Sequence, residues 1–167
     1  LENEGAEIHQ GEIAIFVGPN FVLSVRSGSH RHFLGVRERA EREPELLVHG
    51  SGFVFYALMD AVVDRYFPFL DDIETELEDI EGQMFESGSA RANIERLYAL
   101  KRRGAVLRHA VAPLLEVAGK LHGGRVPAVC AQTQEYSGDV HEHLARINTA
   151  IGALRATIGT AIQVNLS

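Results

Sequence analysis

The sequence predicts an α+β protein that is mostly α: an amino-terminal β-hairpin, the remnant of a mixed α/β sheet, then a long antiparallel helix hairpin and a long carboxy-terminal stalk helix. Three patterns predict it. β-rich residues fill Glu12-Ile13-Ala14-Ile15-Phe16-Val17 and Phe21-Val22-Leu23-Ser24-Val25, and the turn residues Gly18-Pro19-Asn20 split the two runs. Leu70, Ile73, Leu77, Ile80 and Met84 repeat in the three-four steps of a helix seam. Val140, Leu144, Ile147, Ile151, Leu154, Ile158 and Ala161 do the same close to Ser167.

Two units follow, residues 1–49 as the later part of an α/β domain and residues 50–167 as a long-helix domain. Strands are expected at 12–17 and 21–26, and because a lone hairpin is marginal in water, further strands are expected to precede Leu1. A short helix is expected over 31–43 with Phe33, Leu34, Val36 and Ala40 on its packing side, stopped by Pro44. Gly50-Ser51-Gly52 opens a helix over 51–86, in which Phe55, Met59, Val62 and Tyr66 recur at helical spacing and Pro68 is placed to bend the axis. Ser87-Gly88-Ser89 ends it. The next helix is expected over 91–121, with Ile94, Leu97, the stem of Lys101, Leu107, Val111, Leu114, Ala118 and Leu121 inward, and with Gly104 and Pro113 weakening its straightness. His122-Gly123-Gly124 terminates it. After Pro127 the last helix is expected over 128–167, about 60 Å long at 1.5 Å per residue and longer than its own domain needs. Gln163-Val164-Asn165-Leu166-Ser167 lacks a Gly cap, a basic last turn or a Pro, so the chain is expected to be a piece of a longer protein.

With 46% hydrophobic and 23% charged residues, the chain can bury a core and is not a disordered tail. Cys130 is the lone cysteine and sits between Val129 and Ala131, which reads as a small core residue in a reducing compartment. A net charge of −7 argues against nucleic acid as a partner. The longest stretch without Asp, Glu, Lys or Arg, Leu46 to Met59, is shorter than the roughly twenty residues of a membrane span, and no signal pattern opens the chain. Charge is unevenly placed. Tyr66 to Ala90 carries eight carboxylates and no base, whereas Arg91 to Arg108 carries six bases against Glu95 alone, which pairs an acidic helix with a basic one.

Two groups of residues could hold a cation. Glu74, Glu78 and Glu81 lie one turn apart beside the Leu70 to Met84 seam, as hard oxygen ligands or as a solvated face. Glu135, Asp139 and His143 are also one turn apart, so Asp139 with His143 offers a divalent site, or else an acidic start to the last helix. His141 and His143 are two residues apart on a helix and point to roughly opposite sides, and His30 and His32 fall in a loop. No Glu-x-x-His, Cys-x-x-Cys, Gly-x-Ser-x-Gly, Gly-x-x-x-x-Gly-Lys or His-Glu-x-x-His occurs, so an enzyme is not expected.

The segment Phe53 to Pro68, running into Asp71-Asp72-Ile73-Glu74-Thr75-Glu76-Leu77-Glu78-Asp79-Ile80-Glu81, resembles the CorA family of divalent metal ion transporters. The resemblance extends to the hairpin Ile13 to Val25, the helix around Val36-Arg37-Glu38-Arg39-Ala40, Leu100-Lys101-Arg102, Pro113-Leu114, Val126-Pro127 and Tyr136 to His143, and so covers essentially the whole chain. It implies the later part of a cytosolic domain at the cytoplasmic face of the inner membrane. The last helix would be a stalk leading after Ser167 into membrane spans and a Gly-Met-Asn pore signature. It also implies a homopentamer with five stalks around the ion path.

Asp139 is similar in position to the stalk aspartate that shares a regulatory cation with an acid of the adjacent subunit, and Glu74 and Glu78 to carboxylates near a second ion. Gln163 stands where some relatives have an acid. The cation implied is Mg²⁺, with Co²⁺ or Zn²⁺ as alternatives. A regulatory, cation-sensing role follows: apposed carboxylates about 4 Å apart at an effective dielectric near 20 repel by roughly 4 kcal/mol, and a bridging divalent ion reverses the sign. The rival expectation is a non-catalytic helical scaffold whose carboxylates only solvate.

Overall fold

Alternating burial along residues 12–17 sets the faces of the main hairpin. In the computed structural model, which describes residues 2–4, 7–9, 11–28, 34–84, 90–124 and 126–166, β1 (Glu2–Glu4) pairs antiparallel with β2 (Glu7–His9), and β3 (Glu12–Gly18) pairs antiparallel with β4 (Phe21–Ser27). The first pair is not legible in the sequence, because Glu-Asn-Glu carries no apolar alternation. In the second, Gly18 faces Phe21 across Pro19-Asn20, Phe16 faces Leu23 and Ala14 faces Val25. Ile13, Ile15, Val17 and Val22 are half-buried, while Phe16, Phe21, Leu23 and Val25 remain between 52% and 59% exposed. The Ser51 hydroxyl donates to the Gly18 carbonyl at 2.6 Å and pins the hairpin to the start of the first long helix.

Pro44 ends α1 (Leu34–Arg42), as its fixed φ requires, but the same ring suits a first helical position and opens the single turn α2 (Pro44–Leu47). Ala40 is buried and Val36 half-buried; Phe33 and the Leu34 side chain lie outside the described residues. Gly50, at φ 68, then turns the chain into α3 (Ser51–Asp64). The one helix expected over 51–86 is two. Pro68 has no N–H for the Asp64 carbonyl four residues earlier, so the break falls at Arg65 rather than at the proline, and α4 (Tyr66–Gln83) follows. The seam residues Leu70, Ile73, Leu77 and Ile80 are all buried.

α5 (Ala90–His122) matches its expected bounds to within a residue, with Pro113 tolerated inside it on an exposed face. Lys101, expected to turn its stem inward, is instead exposed, and Leu100 and Gly104 occupy the inner positions. The stretch after Pro127 begins as a 3₁₀ turn (Ala128–Thr133) before α6 (Gln134–Asn165), so the last helix is shorter than 128–167. That turn lies so close to α3 that a Cβ on Gly52 would collide with the Val129 carbonyl oxygen, which is why position 52 carries no side chain.

Asn93, Arg96 and Arg103 of α5 reach Gln83, Asp79 and Glu76 of α4, numbers rising on one helix as they fall on the other, so the pair is antiparallel. The expected apposition of acidic and basic helices is therefore present. Arg96 lies 2.7 Å from Asp79 and 3.8 Å from Glu76, and Arg103 lies 2.7 Å from Glu76 while its guanidinium covers the Phe69 ring at 5.4 Å. α6 packs back along α5. Its whole stripe from Val140 to Ala161 is buried, together with Ile73, Ile80, Leu97, Leu107 and Val111, which have no exposed surface at all. Each such residue contributes about 1.5–3 kcal/mol of transfer free energy.

α5 has 33 residues and α6 has 32, and the α6 stripe from Val140 to Ala161 is buried within the chain. The face of α6 that remains exposed carries Gly152, Ala153, Ala156 and Gly159.

Candidate metal site

Helical spacing puts Asp60 and Asp64 on one face of α3, one turn apart, within an otherwise apolar stretch. Asp60 is 6% exposed, and its charge is met by Arg39 of α1, whose Nη1 donates to Oδ2 at 2.9 Å. Arg39 also lies 3.8 Å from Glu43 on its own helix. From the opposite side α6 brings His143, held edge-on against Phe67 at 5.7 Å. Its Nδ1 is buried and has no hydrogen-bond partner among the described residues. One ligand atom each from Asp60, Asp64 and His143 lie within 4.8 Å of one another.

The electrostatics describe a place short of positive charge. Burial pushes the Asp64 carboxyl above its ordinary range, the Asp60 charge pushes the same way, and His143 and Arg39 oppose them. Burial likewise raises the half-buried Tyr56 phenol, with the charges of Asp60 and Asp139 adding to the effect and Arg39 opposing it. The donor set suits a divalent ion. Two carboxylates match Mg²⁺, which keeps several waters, and the added imidazole matches Co²⁺ or Zn²⁺ as well. An orphaned buried nitrogen beside two carboxylates fits a cation that would supply the missing partner.

Of the residues expected from the sequence, His143 is in this cluster. Asp139 is exposed one turn before it on α6, and Glu135 is exposed a further turn away. Glu74 is half-buried and Glu78 exposed on α4, and neither belongs to a three-donor cluster among the described residues; α5 engages Glu76 and Asp79 instead. His141 stacks on His122 at 6.1 Å, away from His143 as the two-residue spacing requires. His30, His32 and Glu86 lie outside the described residues. Asp60, Asp64 and Arg39 are the residues that spacing arguments missed as a site. The signal was available: a pair of carboxylates four apart in a run from Phe53 to Phe69 that otherwise has Arg65 as its only charge.

Among the described residues no helix is long and apolar enough to cross a membrane. Comparison with known proteins finds relatives that are metal ion transport proteins as a class. It is 27% identical over 162 residues to the cobalt/magnesium transport protein CorA of Thermotoga maritima, covering 96% of this chain and 46% of that protein. It is 26% identical over 144 residues to the putative metal ion transporter YfjQ of Bacillus subtilis, covering 86% of this chain and 45% of that protein. The pattern of the CorA-like Mg²⁺ transporter protein family matches residues 1–164, and the chain belongs to that family. It spans about half the length of the curated relatives it matches.

Proposed function

We propose that this chain is the cation-sensing, gate-controlling part of a divalent metal ion transporter of the magnesium/cobalt type, standing at the cytoplasmic face of the inner membrane in a homopentamer. The observation that carries it is the Asp60, Asp64 and His143 cluster, because it joins α3 to α6, the helix that would lead to the pore. A bound divalent cation supplies two positive charges between carboxylates that otherwise repel. Asp60, Asp64 and His143 would hold it. With the ion scarce, Asp60 and Asp64 face each other with Arg39 as the ion-pair partner of Asp60, and the α3 to α6 contact is weakened.

Asp139, exposed beside this pocket, is the residue proposed to meet an acid of an adjacent subunit, and Glu74 and Glu78 are proposed as hard oxygen ligands of a second ion. Contact between stalks falls to the small-residue face of α6 at Gly152, Ala153, Ala156 and Gly159, where backbones can approach closely. Mg²⁺ is the ion proposed first, with Co²⁺ or Zn²⁺ accepted through His143.

The test is flux in the full-length transporter, reconstituted in vesicles with Mg²⁺ varied on the cytoplasmic side. Asp64→Asn and Asp139→Ala should each leave flux at low Mg²⁺ intact and weaken its suppression at high Mg²⁺. Unchanged suppression in both variants rejects the proposal. A plain helical scaffold is the second reading, favoured by the closure of the α6 stripe inside the bundle. It expects thermal stability to ignore Mg²⁺ at matched ionic strength.

A further inference from the structure

Arg39 enters the cation cluster from a different element. Asp60 and Asp64 belong to α3 and His143 to α6, but the one positive charge on Asp60 among the described residues arrives on α1, at 2.9 Å from Oδ2. The two ends of that pair are unlike. The Asp60 side chain is 9% exposed, whereas the Arg39 side chain is 47% exposed and has a second carboxylate, Glu43, at 3.8 Å on its own helix. A buried carboxylate without a partner is costly, so Asp60 needs a cation at all times. A half-exposed guanidinium with another acid beside it loses little by leaving.

We infer that Arg39 is a tethered counter-cation that competes with the divalent ion for Asp60, so that it sets the concentration at which the site fills and releases α1 when it does. The inference rests on the metal-site reading above and adds its regulation. Asp60 is then never bare. Arg39 neutralises it when the ion is scarce, and the ion must displace a resident charge rather than enter an empty pocket, which lowers its apparent affinity. Since α1 is tied to the following bundle through this contact and through Ala40, the exchange also gives α1 two positions with the same Asp60 as their switch.

The test is calorimetric titration of the purified protein with MgCl₂ at constant ionic strength, comparing wild type, Arg39→Gln, Arg39→Lys and Asp64→Asn. Removing the competitor should tighten Mg²⁺ binding about ten-fold in Arg39→Gln, since a half-exposed unit charge is screened but not cancelled. Arg39→Lys, which keeps the charge, should stay within about two-fold of wild type. Arg39→Gln binding Mg²⁺ no more tightly than wild type, while Asp64→Asn abolishes binding, overturns the role of Arg39 and leaves the site standing. Asp64→Asn binding as wild type does overturns the site itself. Should Arg39→Gln fail to fold, the Arg39 Nε–H resonance of the wild-type protein decides: it should shift as Mg²⁺ saturates, and an unmoved resonance at saturation overturns the exchange.

Discussion

Replacing Asp64 by Asn should make the metal-free protein more stable and the Mg²⁺-loaded protein less so. Burial and the nearby Asp60 hold the Asp64 carboxyl above its ordinary range. A carboxyl whose folded value is raised contributes stability that is present below the unfolded value and lost as pH rises through the folded one, so at neutral pH ionised Asp64 is a cost to the fold. At separations within 4.8 Å, two carboxylates repel by about 1 kcal/mol in water-like surroundings and about 3.5 kcal/mol at a dielectric near 20. Arg39 offsets part of that, and Asp64 is exposed enough to be screened, leaving about 0.5–1 kcal/mol for the variant to recover. For a chain of this length the gain is a Tm rise of roughly 1–4 °C in EDTA. On the proposed site, wild type at ten times its Kd for Mg²⁺ should gain about 1.4 kcal/mol from binding there, and the variant should lose that gain. Scanning calorimetry at pH 7, in EDTA and in MgCl₂ at matched ionic strength, should therefore show the order of the two proteins reverse. Lowering the pH through the raised carboxyl range should close the gap in EDTA, because Asp64 then protonates. A variant that melts lower than wild type in EDTA, or that keeps the Mg²⁺ response, refutes the account of the site.

Glu76→Gln strips a carboxylate from both Arg96 and Arg103, so urea unfolding should show a loss of about 1–2 kcal/mol that shrinks in high salt; salt-independent loss would point to packing instead. Gly104→Ala should stabilise by about 0.5–1 kcal/mol in the same assay, since a methyl there meets nothing within 4 Å and α5 gains helix propensity. Burial pushes the Cys130 thiol up and leaves it 3% exposed, so the native protein should resist a thiol reagent at pH 8 that reacts at once in denaturant.

Much of the fold was legible because its causes are local. β-rich runs split by turn residues marked β3 and β4, steps of three and four marked α4 and α6, prolines and glycines marked where elements stop, and the opposite charge of neighbouring segments foretold that α4 and α5 lie side by side. Those patterns report which side of an element is apolar. They do not report what that side touches. The α6 stripe looks the same whether it packs on a sister stalk or on α5, and the packed chain shows that it is α5. Likewise Asp60 and Asp64 look like two stray carboxylates on an apolar helix until the bundle folds α6 back and sets His143 against them, with α1 delivering Arg39. Residues so far apart along the chain meet through the summed geometry of three helices and their turns, and no period within one segment encodes that distance.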